Sequence, residues 1–299
     1  MTITAPPAPP TTTPPPPLRN RSARPPAGRV VKNVGLFVVM SIVAIVMLYP
    51  FYFMIDTSLK SDSQFISGHG HSFASWIKLN SEIPWAHELL NSTIVCVCAI
   101  AIILVVSTMA GFAFAKLNYR RQTFIFLAII AALLIPMQSI IIPAFYNLSK
   151  VNVGNFNLLQ SYGAAILMYS ALGTPFATFL MTAYFRGLPD DVIEAGIIDG
   201  LSYGAIFRRI GLPMAVPAIV TVVVLQFIQI WDDLLIGLLF LQNTDQRTIT
   251  VGLGVLASGR TTDFPVLMAG SILSALPAII VFLVFQRFLI NGLTAGIGK

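Results

Sequence analysis

The chain has 299 residues, of which 56% are hydrophobic and 10% are charged, and its formal net charge is +6. A soluble domain carries about 25% charged residues, so this composition excludes an ordinary soluble enzyme or binding domain. The basic residues are spread over many short segments. That distribution excludes the clustered basic face of a nucleic-acid-binding domain, and we expect no nucleic-acid partner.

Residues 1–29 differ in composition from everything that follows. They include ten prolines and very few large apolar side chains. Proline disrupts helix interiors and sheet ladders, and a segment with nothing apolar to bury stays disordered. The segment predicts a disordered tail, or alternatively a ligand for a proline-binding module. The apolar stretch after it exceeds the 7–15 residues of a signal-peptide core, so no cleaved signal is expected.

Residues 30–299 contain six long apolar stretches with hardly a charge inside them. A membrane-spanning helix needs about 20 such residues, whereas a spanning strand needs only about 10. The composition therefore predicts an all-α, multi-pass protein of the plasma or inner membrane. The six predicted spans are residues 34–56, 90–115, 122–146, 162–184, 214–241 and 265–288.

The distribution of Lys and Arg predicts the orientation of these spans. If the N-terminus is cytoplasmic, 13 of the 18 basic residues lie in inside segments and five lie outside. Inside loops of membrane proteins carry the excess of Lys and Arg. We therefore expect both termini in the cytoplasm, and the polar segment 186–213 becomes a cytoplasmic loop.

Familiar catalytic and metal-binding motifs are missing from the sequence. It has no G-x-x-x-x-G-K-[ST] phosphate loop, no G-x-S-x-G elbow and no H-E-x-x-H pair. Cys96 and Cys98 lie inside the second predicted span, where their spacing favours neither a disulfide nor a metal site. We expect a chain that is not an enzyme and holds no cofactor or metal. A channel, a secondary transporter, an enzyme of the membrane plane and a subunit driven by a partner remain open.

The segment 186–213 has the local signals of two short helices joined by a tight turn. Pro189 precedes Asp191 and Glu194, which read as a D-x-x-E capping box. Gly200 can end this helix, and Ser202 can cap the next one. A turn at residues 211–213 would then lead into the fifth span. The apolar side chains of the first helix need burial in a protein groove; they are Val192, Ile193, Ile197 and Ile198.

The same segment resembles the EAA loop of permease subunits of ABC importers. Glu194 and Ala195 begin the motif, Gly200 follows at the family's spacing, and Ile210-x-Leu-Pro completes it. Gly196 departs from the family's usual alanine. The stretch WDDLLIG (231–237) resembles the family's tryptophan and acidic patch, and LKSDSQ (59–64) resembles a segment common in the group. The C-terminal residues 285–299 are similar to the end of the smaller permease subunit of maltose transporters.

This resemblance implies a function and a set of partners. The EAA loop would carry a coupling helix that sits in a groove of a cytoplasmic ATPase subunit. ATP and Mg would be bound by two such ATPase subunits, and a second homologous permease and an external solute-binding protein would complete an importer for a sugar, an oligosaccharide or a related polyol. The residues that would take part in coupling are Glu194, Ala195, Gly196, Asp199, Gly200, Ile210, Leu212 and Pro213. The alternative is an amphipathic helix lying on the membrane surface.

A polar stripe in the fifth span suggests contact with the solute. Its residues are Gln226, Gln229, Trp231, Asp232 and Asp233. The amides and the acidic pair recur at helical spacing, and polar groups inside spans face the bundle or a wet cavity. They could line the translocation pathway, with Trp231 as a stacking or gating ring, or form a hydrogen-bonded seam with the second permease. A straight helix would place the acidic pair in the outer half of the membrane.

Other functions remain as alternatives. One is an ABC importer for another small solute, such as a glycerophosphodiester. A membrane-embedded transferase would need clustered His, Asp, Arg or Glu near one membrane face, and the outer loops show no such cluster. A secondary transporter would show repeated halves with broken helices, and the sequence shows no clear repeat.

Overall fold

The computed structural model describes residues 27–153, 156–259 and 263–295. Residues 1–26, which make up most of the predicted tail, lie outside that range. The helices are α1 Ala27–Ser58, α2 Asp62–Ser67, α3 Ala74–Glu82, α4 Trp85–Lys116, α5 Gln122–Ala131, α6 Met137–Ser149, α7 Gly163–Arg186, α8 Asp190–Ile198, α9 Tyr203–Ile206, α10 Leu212–Met214, α11 Val216–Trp231, α12 Leu235–Phe240, α13 Ile249–Ala257 and α14 Phe264–Ala295. The predicted all-α class is confirmed.

Short elements complete the described part of the chain. Strands β1 (Asn152–Val153) and β2 (Phe156–Asn157) pair antiparallel, with Val153 opposite Phe156. Three-residue 3-10 turns occupy Ala132–Leu134, Leu158–Gln160 and Thr244–Gln246, and a π-helical segment occupies Phe207–Gly211.

Six spans are present in the described residues if each bent helix pair counts as one. Four helices are long and apolar enough to cross a membrane unbroken: Asn33–Ser58, Trp85–Lys116, Gly163–Arg186 and Phe264–Phe288. Two pairs qualify together: Gln122–Leu134 with Met137–Ser149, and Tyr203–Met214 with Val216–Trp231. The predicted number of six spans thus fits approximately, with two of the six bent.

The third span bends sharply at Pro136. Its two halves meet at 97°. Ile135 is extended and Pro136 precedes the first residue of α6, as expected because proline disfavours the helical conformation in the residue before it. Pro143 and Pro175, by contrast, lie inside α6 and α7 without ending either helix.

The fifth span is not the straight helix that the sequence predicted. The chain bends by 72° between Met214 and Val216, and α11 ends after 16 residues at Trp231. A helix of that length rises only about 24 Å. Asp232 follows directly as the C-terminal cap, and α12 begins at Leu235. The range 214–241 is therefore two helices with a break at the acidic pair.

The core is centred on α4 and α7, which approach closely through small residues. A Cβ atom built on Gly111 of α4 would lie 2.7 Å from the Cβ atom of Met181 and 3.0 Å from the backbone nitrogen of Thr182. Ser170 of α7 donates to the carbonyl of Ala99 at 3.4 Å. Small residues at such crossings let helix backbones pack in lipid, where helices gain nothing by hiding apolar surface.

Loops that the charge count assigns to one side of the membrane meet at one end of α4. Lys116, at the last residue of this helix, contacts Leu188 and Asp190. At the opposite end, the side-chain amide nitrogen of Asn91 donates to the backbone carbonyls of Asp245 and Arg247, at 2.9 Å each. The charge count predicts the segment near Lys116 on the cytoplasmic side and the loop near Asn91 on the outer side. Their positions at opposite ends of α4 agree with that prediction.

The end of α4 near Asn91 is a buried polar cluster that fixes the loop after the fifth span. The hydroxyl of Tyr162 donates to the Asn91 side-chain oxygen at 2.7 Å. The backbone amide of Ile249 donates to the hydroxyl of Ser92 at 2.9 Å. Asn91 and Ser92 are both buried, and buried polar groups persist where they are hydrogen-bonded. The cluster therefore holds residues 245–249 against the second span.

Replacing Asn91 should release this loop. Asn91→Ala removes two donors to the loop, each worth about 0.5–1.5 kcal/mol, so the open form should become roughly tenfold more populated. We expect faster tryptic cleavage after Arg247 in the purified protein, measured by mass spectrometry, since cleavage follows the population of the open form. Thr93→Ala is the control, because that hydroxyl bonds only within its own helix. Equal cleavage rates in both variants would contradict the role given to Asn91.

Candidate functional site

The first helix of the 186–213 segment begins two residues earlier than the predicted capping box would place it. Helix α8 starts at Asp190, and Pro189 occupies the cap position without a side-chain hydrogen bond. The predicted capping box of Asp191 and Glu194 is therefore wrong. Asp190 and Asp191 instead lie in the first turn, where carboxylates stabilise the positive end of the helix dipole.

The turn between the two helices has the predicted residues in the predicted roles. Gly200 is left-handed with φ of 77°. Its backbone amide donates to the carbonyl of Ile197 at 2.9 Å, and the backbone amide of Leu201 donates to the carbonyl of Gly196 at 3.0 Å. This pair of bonds is a Schellman motif, which ends a helix at a left-handed glycine. Ser202 caps α9, since its hydroxyl accepts from the amide of Ala205 at 3.4 Å.

The second helix continues further than the sequence indicated. Helix α9 passes through the π-helical segment into α10. The bend into the fifth span lies at Ala215, which has φ of −83° and ψ of 0°. The predicted turn at Gly211–Pro213 is thus wrong: Leu212 and Pro213 are helical. Leu212 is half-buried and Pro213 is exposed.

The departure from the family pattern at Gly196 has a packing explanation. A Cβ atom at this position would lie 3.1 Å from Ile206 and 3.3 Å from Ile210. The absence of a side chain lets the second helix press directly against α8. Ile206 is fully buried in this contact. The two helices consequently form one packed unit.

One face of α8 is turned away from the rest of the chain. Ile198 is 85% exposed, and Glu194, Ala195 and Asp199 are exposed as well. Ile193, on the opposite face, is buried. The predicted need to bury the apolar side chains is therefore met within this chain for Ile193 and not for Ile198.

A groove of about 400 Å³ runs beside this exposed face. It lies between α8 and the turn that follows α4. Its polar lining includes Lys116, Asn118, Gln122, Asp190, Glu194 and Tyr203. Two of these side chains are carboxylates, so the groove can accept hydrogen bonds from a basic partner group.

Lys116 is a buried cation that sequence reasoning missed. Its side chain is 4% exposed. The ammonium nitrogen lies 2.6 Å from the Asp190 carboxylate and 2.7 Å from the carbonyl oxygen of Leu188. A lysine at the end of an apolar run was counted only as a topology signal. Its buried pairing with a loop more than 70 residues away is a tertiary property.

The structure divides the predicted polar stripe of the fifth span. Gln226, Gln229 and Asp233 surround a small cavity of about 30 Å³ together with Tyr169 of α7 and Met137 of α6. Trp231 and Asp232 do not line this cavity. Gln229 and Asp232 are exposed.

Two of the stripe residues are engaged inside the chain. Asp233 accepts from the hydroxyl of Tyr169 at 2.9 Å and from the amide of Ile236 at 2.8 Å. Gln226 is 1% exposed. Within the described residues its amide nitrogen has no hydrogen-bond partner, although a buried donor without a partner is costly. Its side-chain oxygen closely approaches Gly173.

The indole of Trp231 packs between helices. It is 3% exposed, and its nitrogen donates to the carbonyl of Ser274 on α14 at 2.9 Å. The ring stacks on Phe227, with centroids 5.0 Å apart. These are the contacts of a packing residue, so within this chain the ring is not presented to a passing solute. Its stacking or gating role stays a prediction.

Other ionisable side chains lie away from α8. Lys78 of α3 contacts Asp263 at 2.7 Å, and this hydrogen bond raises the pKa of the lysine. His71 lies 3.0 Å from the Asp56 carboxylate. Cys96 and Cys98 are free thiols. Within residues 27–153, 156–259 and 263–295, no group of three His, Cys, Asp or Glu residues is placed to hold a metal.

Curated relatives match most of the chain. The sulfoquinovosyl glycerol transport system permease protein of Agrobacterium fabrum is 30% identical over 87% of this chain and 92% of its own length. A probable ABC transporter permease protein of Pyrococcus horikoshii is 32% identical over 84% and 92%. The arabinooligosaccharides transport system permease protein of Bacillus subtilis is 28% identical over 89% and 95%.

Solved structures share the fold. A chain of a bacterial ABC transporter involved in the import of the acidic polysaccharide alginate gives a TM-score of 0.75 at 19% identity, covering 89% of this chain and 99% of that one. The same kind of transporter in complex with an alginate pentasaccharide-bound periplasmic protein gives 0.65 at 15% identity, covering 87% and 96%.

The family assignment rests on the larger part of the chain. Residues 107–294 match the family described as binding-protein-dependent transport system inner membrane component. That range includes α7 to α13 and the whole 186–213 segment. The resemblance to importer permeases is thereby confirmed, and this chain belongs to the family of binding-protein-dependent transport system inner membrane components.

Proposed function

We propose that this chain is a permease subunit of an ABC importer and forms half of the pathway for a sugar or oligosaccharide. Family membership supports transport served by a binding protein. Relatives named for sulfoquinovosyl glycerol and for arabinooligosaccharides support a carbohydrate solute. The observation that carries the mechanism is the exposed face of α8, with Glu194 and Ile198 on it.

The exposed face of α8 is suited to docking on a cytoplasmic ATPase. An apolar side chain as exposed as Ile198 gains free energy when a protein groove removes it from water. Glu194 adds a carboxylate that a basic group of the partner can pair with. With the 186–213 segment in the cytoplasm, two ATPase subunits supply the ATP and Mg chemistry. This chain supplies the surface that their closure displaces.

The joint between α8 and α9 transmits that displacement into the membrane. Gly200 fixes the turn, and Gly196 packs against Ile206 and Ile210. The second helix then runs through Ala215 into α11. A movement of α8 therefore carries the start of the fifth span with it and reaches the polar residues around Gln226 and Asp233.

The surface-helix alternative is less well supported by the charges. Interfacial helices carry Lys and Arg on the polar face, which attracts anionic lipid. Helix α8 has Asp190, Asp191 and Glu194 and no basic residue. An anionic membrane surface would repel these carboxylates. Lipid contacts are instead expected along the spans.

The polar cavity of the fifth span is a segment of a closed pathway in this proposal. A volume of about 30 Å³ admits water and excludes a sugar, since one water needs about 10–15 Å³. Opening therefore requires Gln226, Gln229 and Asp233 to separate from Tyr169, with the second permease completing the wall. A fixed hydrogen-bonded seam between the permeases remains the alternative role.

Reconstitution tests the whole proposal. Proteoliposomes would contain this chain, the second permease, the ATPase subunits and the binding protein encoded in the same genome. We expect ATP-dependent uptake of a radiolabelled sugar from a panel of maltose, trehalose, cellobiose and arabinotriose, and no hydrolysis of ATP by this chain alone. Uptake of glycerophosphocholine instead would favour the glycerophosphodiester alternative. ATP hydrolysis by the isolated chain would contradict the proposal.

Changes in the 186–213 segment should break coupling while leaving membrane insertion intact. Glu194→Lys reverses the charge on the docking face, and Gly200→Val strains a left-handed turn. We expect at least about tenfold less ATPase to copurify with the tagged permease pair, or tenfold slower uptake, which corresponds to about 1.4 kcal/mol.

Each of these variants has a matched control at the opposite end. Glu82→Lys reverses an exposed carboxylate on α3. Gly68→Val strains a glycine with φ of 75° and open space around it, like Gly200. If the controls and the segment variants copurify the ATPase equally, α8 is not the docking element.

Asp233 should prove both structural and functional, whereas Asp232 should prove functional without a role in stability. Asp233→Leu leaves the Tyr169 hydroxyl and the Ile236 amide unpaired, which costs about 1–3 kcal/mol each; the unfolding temperature in detergent should fall. Asp232→Asn changes an exposed group and should leave that temperature unchanged while altering uptake. Asp233→Asn keeps an acceptor and should alter uptake with a smaller loss of stability. Wild-type uptake in both asparagine variants would remove the aspartates from the pathway.

A further inference from the structure

Among the described residues, the polar partners of the cation at the end of the second span all lie in the 186–213 segment. Lys116 is the last residue of α4, and its two polar partners are the Asp190 carboxylate and the Leu188 carbonyl. A buried ammonium group needs such partners, because leaving water without them is costly. The end of α4 is therefore bound to the start of α8.

The spans differ in how they are joined to α8. The fourth span, α7, reaches it through three residues, and the fifth follows it along the chain through α9 and α10. The second span is distant in sequence and has no such covalent connection. Within the described residues its polar links to the 186–213 segment are the Lys116 contacts. Its apolar links are the close crossing with α7 and the packing of Phe112 against Phe207, whose ring centroids are 5.3 Å apart. Apolar side chains such as Phe112 and Phe207 can shift against each other while staying in contact. The Lys116 ammonium group, by contrast, keeps its hydrogen bonds only when α4 and α8 hold their relative position.

Helix α4 is built to carry a displacement over a long distance. It has 32 residues, and no proline interrupts it, so it rises about 48 Å. At the end opposite Lys116, Asn91 and Ser92 hold the loop at residues 245–249. Both ends of one continuous helix are thus hydrogen-bonded to loops.

We propose that Lys116 is a positioning residue that makes the second span follow α8 when the ATPase subunits close. The inference rests on the proposed coupling function of α8 and names the noncovalent link that this function requires. Without the Lys116–Asp190 pair, α8 moves with the fourth and fifth spans, while the last turn of α4, beyond its packing on α7, is no longer fixed to the start of α8.

The chain offers a matched pair of variants. Asp190 and Asp191 are adjacent in the first turn of α8, and both are exposed. Asp190 is 78% exposed and contacts Lys116. Asp190→Ala and Asp191→Ala therefore make the same chemical change at the same helix end, and only the first removes the carboxylate bound to Lys116. Lys116→Met removes both of its contacts and leaves no buried charge unpaired.

Hydrogen–deuterium exchange of the assembled transporter in nanodiscs measures the link without any solute. Exchange is compared between the nucleotide-free state and the state trapped with ATP and vanadate. In the wild type and in Asp191→Ala, we expect trapping to change exchange in α8 and in the last turn of α4. In Asp190→Ala and Lys116→Met, the change in α8 persists and the change in α4 falls by about fivefold or more.

Each outcome has a distinct meaning. A purely structural ion pair would raise exchange equally in both states and leave the nucleotide-dependent difference intact, which would overturn the proposal. Equal differences in Asp190→Ala and Asp191→Ala would overturn it as well. If trapping changes nothing in α8 of the wild type, the coupling function itself fails.

Discussion

The membrane interior gives a backbone amide no hydrogen-bond partner except the protein, and this constraint decides where the chain can be irregular. Long helices follow wherever the sequence is apolar. The breaks occur at Pro136, at Ala215 and at the aspartate pair after Trp231. At the last break, the Asp233 carboxylate accepts from the Tyr169 hydroxyl and from the backbone amide of Ile236, and the Thr250 hydroxyl of α13 donates to the carbonyl of Trp231. Irregular backbone there depends on neighbouring helices for its bonds.

The same constraint explains why the polar contacts concentrate at the two ends of α4. The helix meets aqueous or interfacial surroundings only near Lys116 and near Asn91. Side chains at these positions can carry charge or amide groups, which would be costly at the membrane centre. They bind backbone carbonyls of loops instead of other spans. The loops at the two ends of α4 are thereby held in place by hydrogen bonds to the same helix.

Features that depend on neighbouring residues could be predicted from the sequence, whereas contacts between residues far apart in the chain could not. The turn at Gly200 and the cap at Ser202 depend on residues within a few positions of each other, so spacing predicted them correctly. The burial of Trp231 depends on α14, whose Ser274 carbonyl accepts from the indole, and the bend at Ala215 adjoins Met214, whose carbonyl accepts from the Tyr184 hydroxyl of α7. No local pattern marks Lys116 as the partner of Asp190. The predicted capping box failed because helix α8 accepted Asp190 as its first residue, a shift within the usual uncertainty of helix ends.

At Gly196, the local helix propensity and the tertiary packing have opposite effects on α8. A glycine inside α8 costs up to about 1 kcal/mol of helix stability, so on propensity alone it weakens the helix expected to dock. The structure shows a compensating contact, because Ile206 and Ile210 fill the space where a methyl group would project. Part of the rigidity of α8 is therefore supplied by α9 and the π-helical segment. Because α8 is packed against α9 and the π-helical segment, we expect these elements to move together. The π-helical segment leads through α10 into the fifth span. The departure from the family pattern thus strengthens the connection on which coupling would depend.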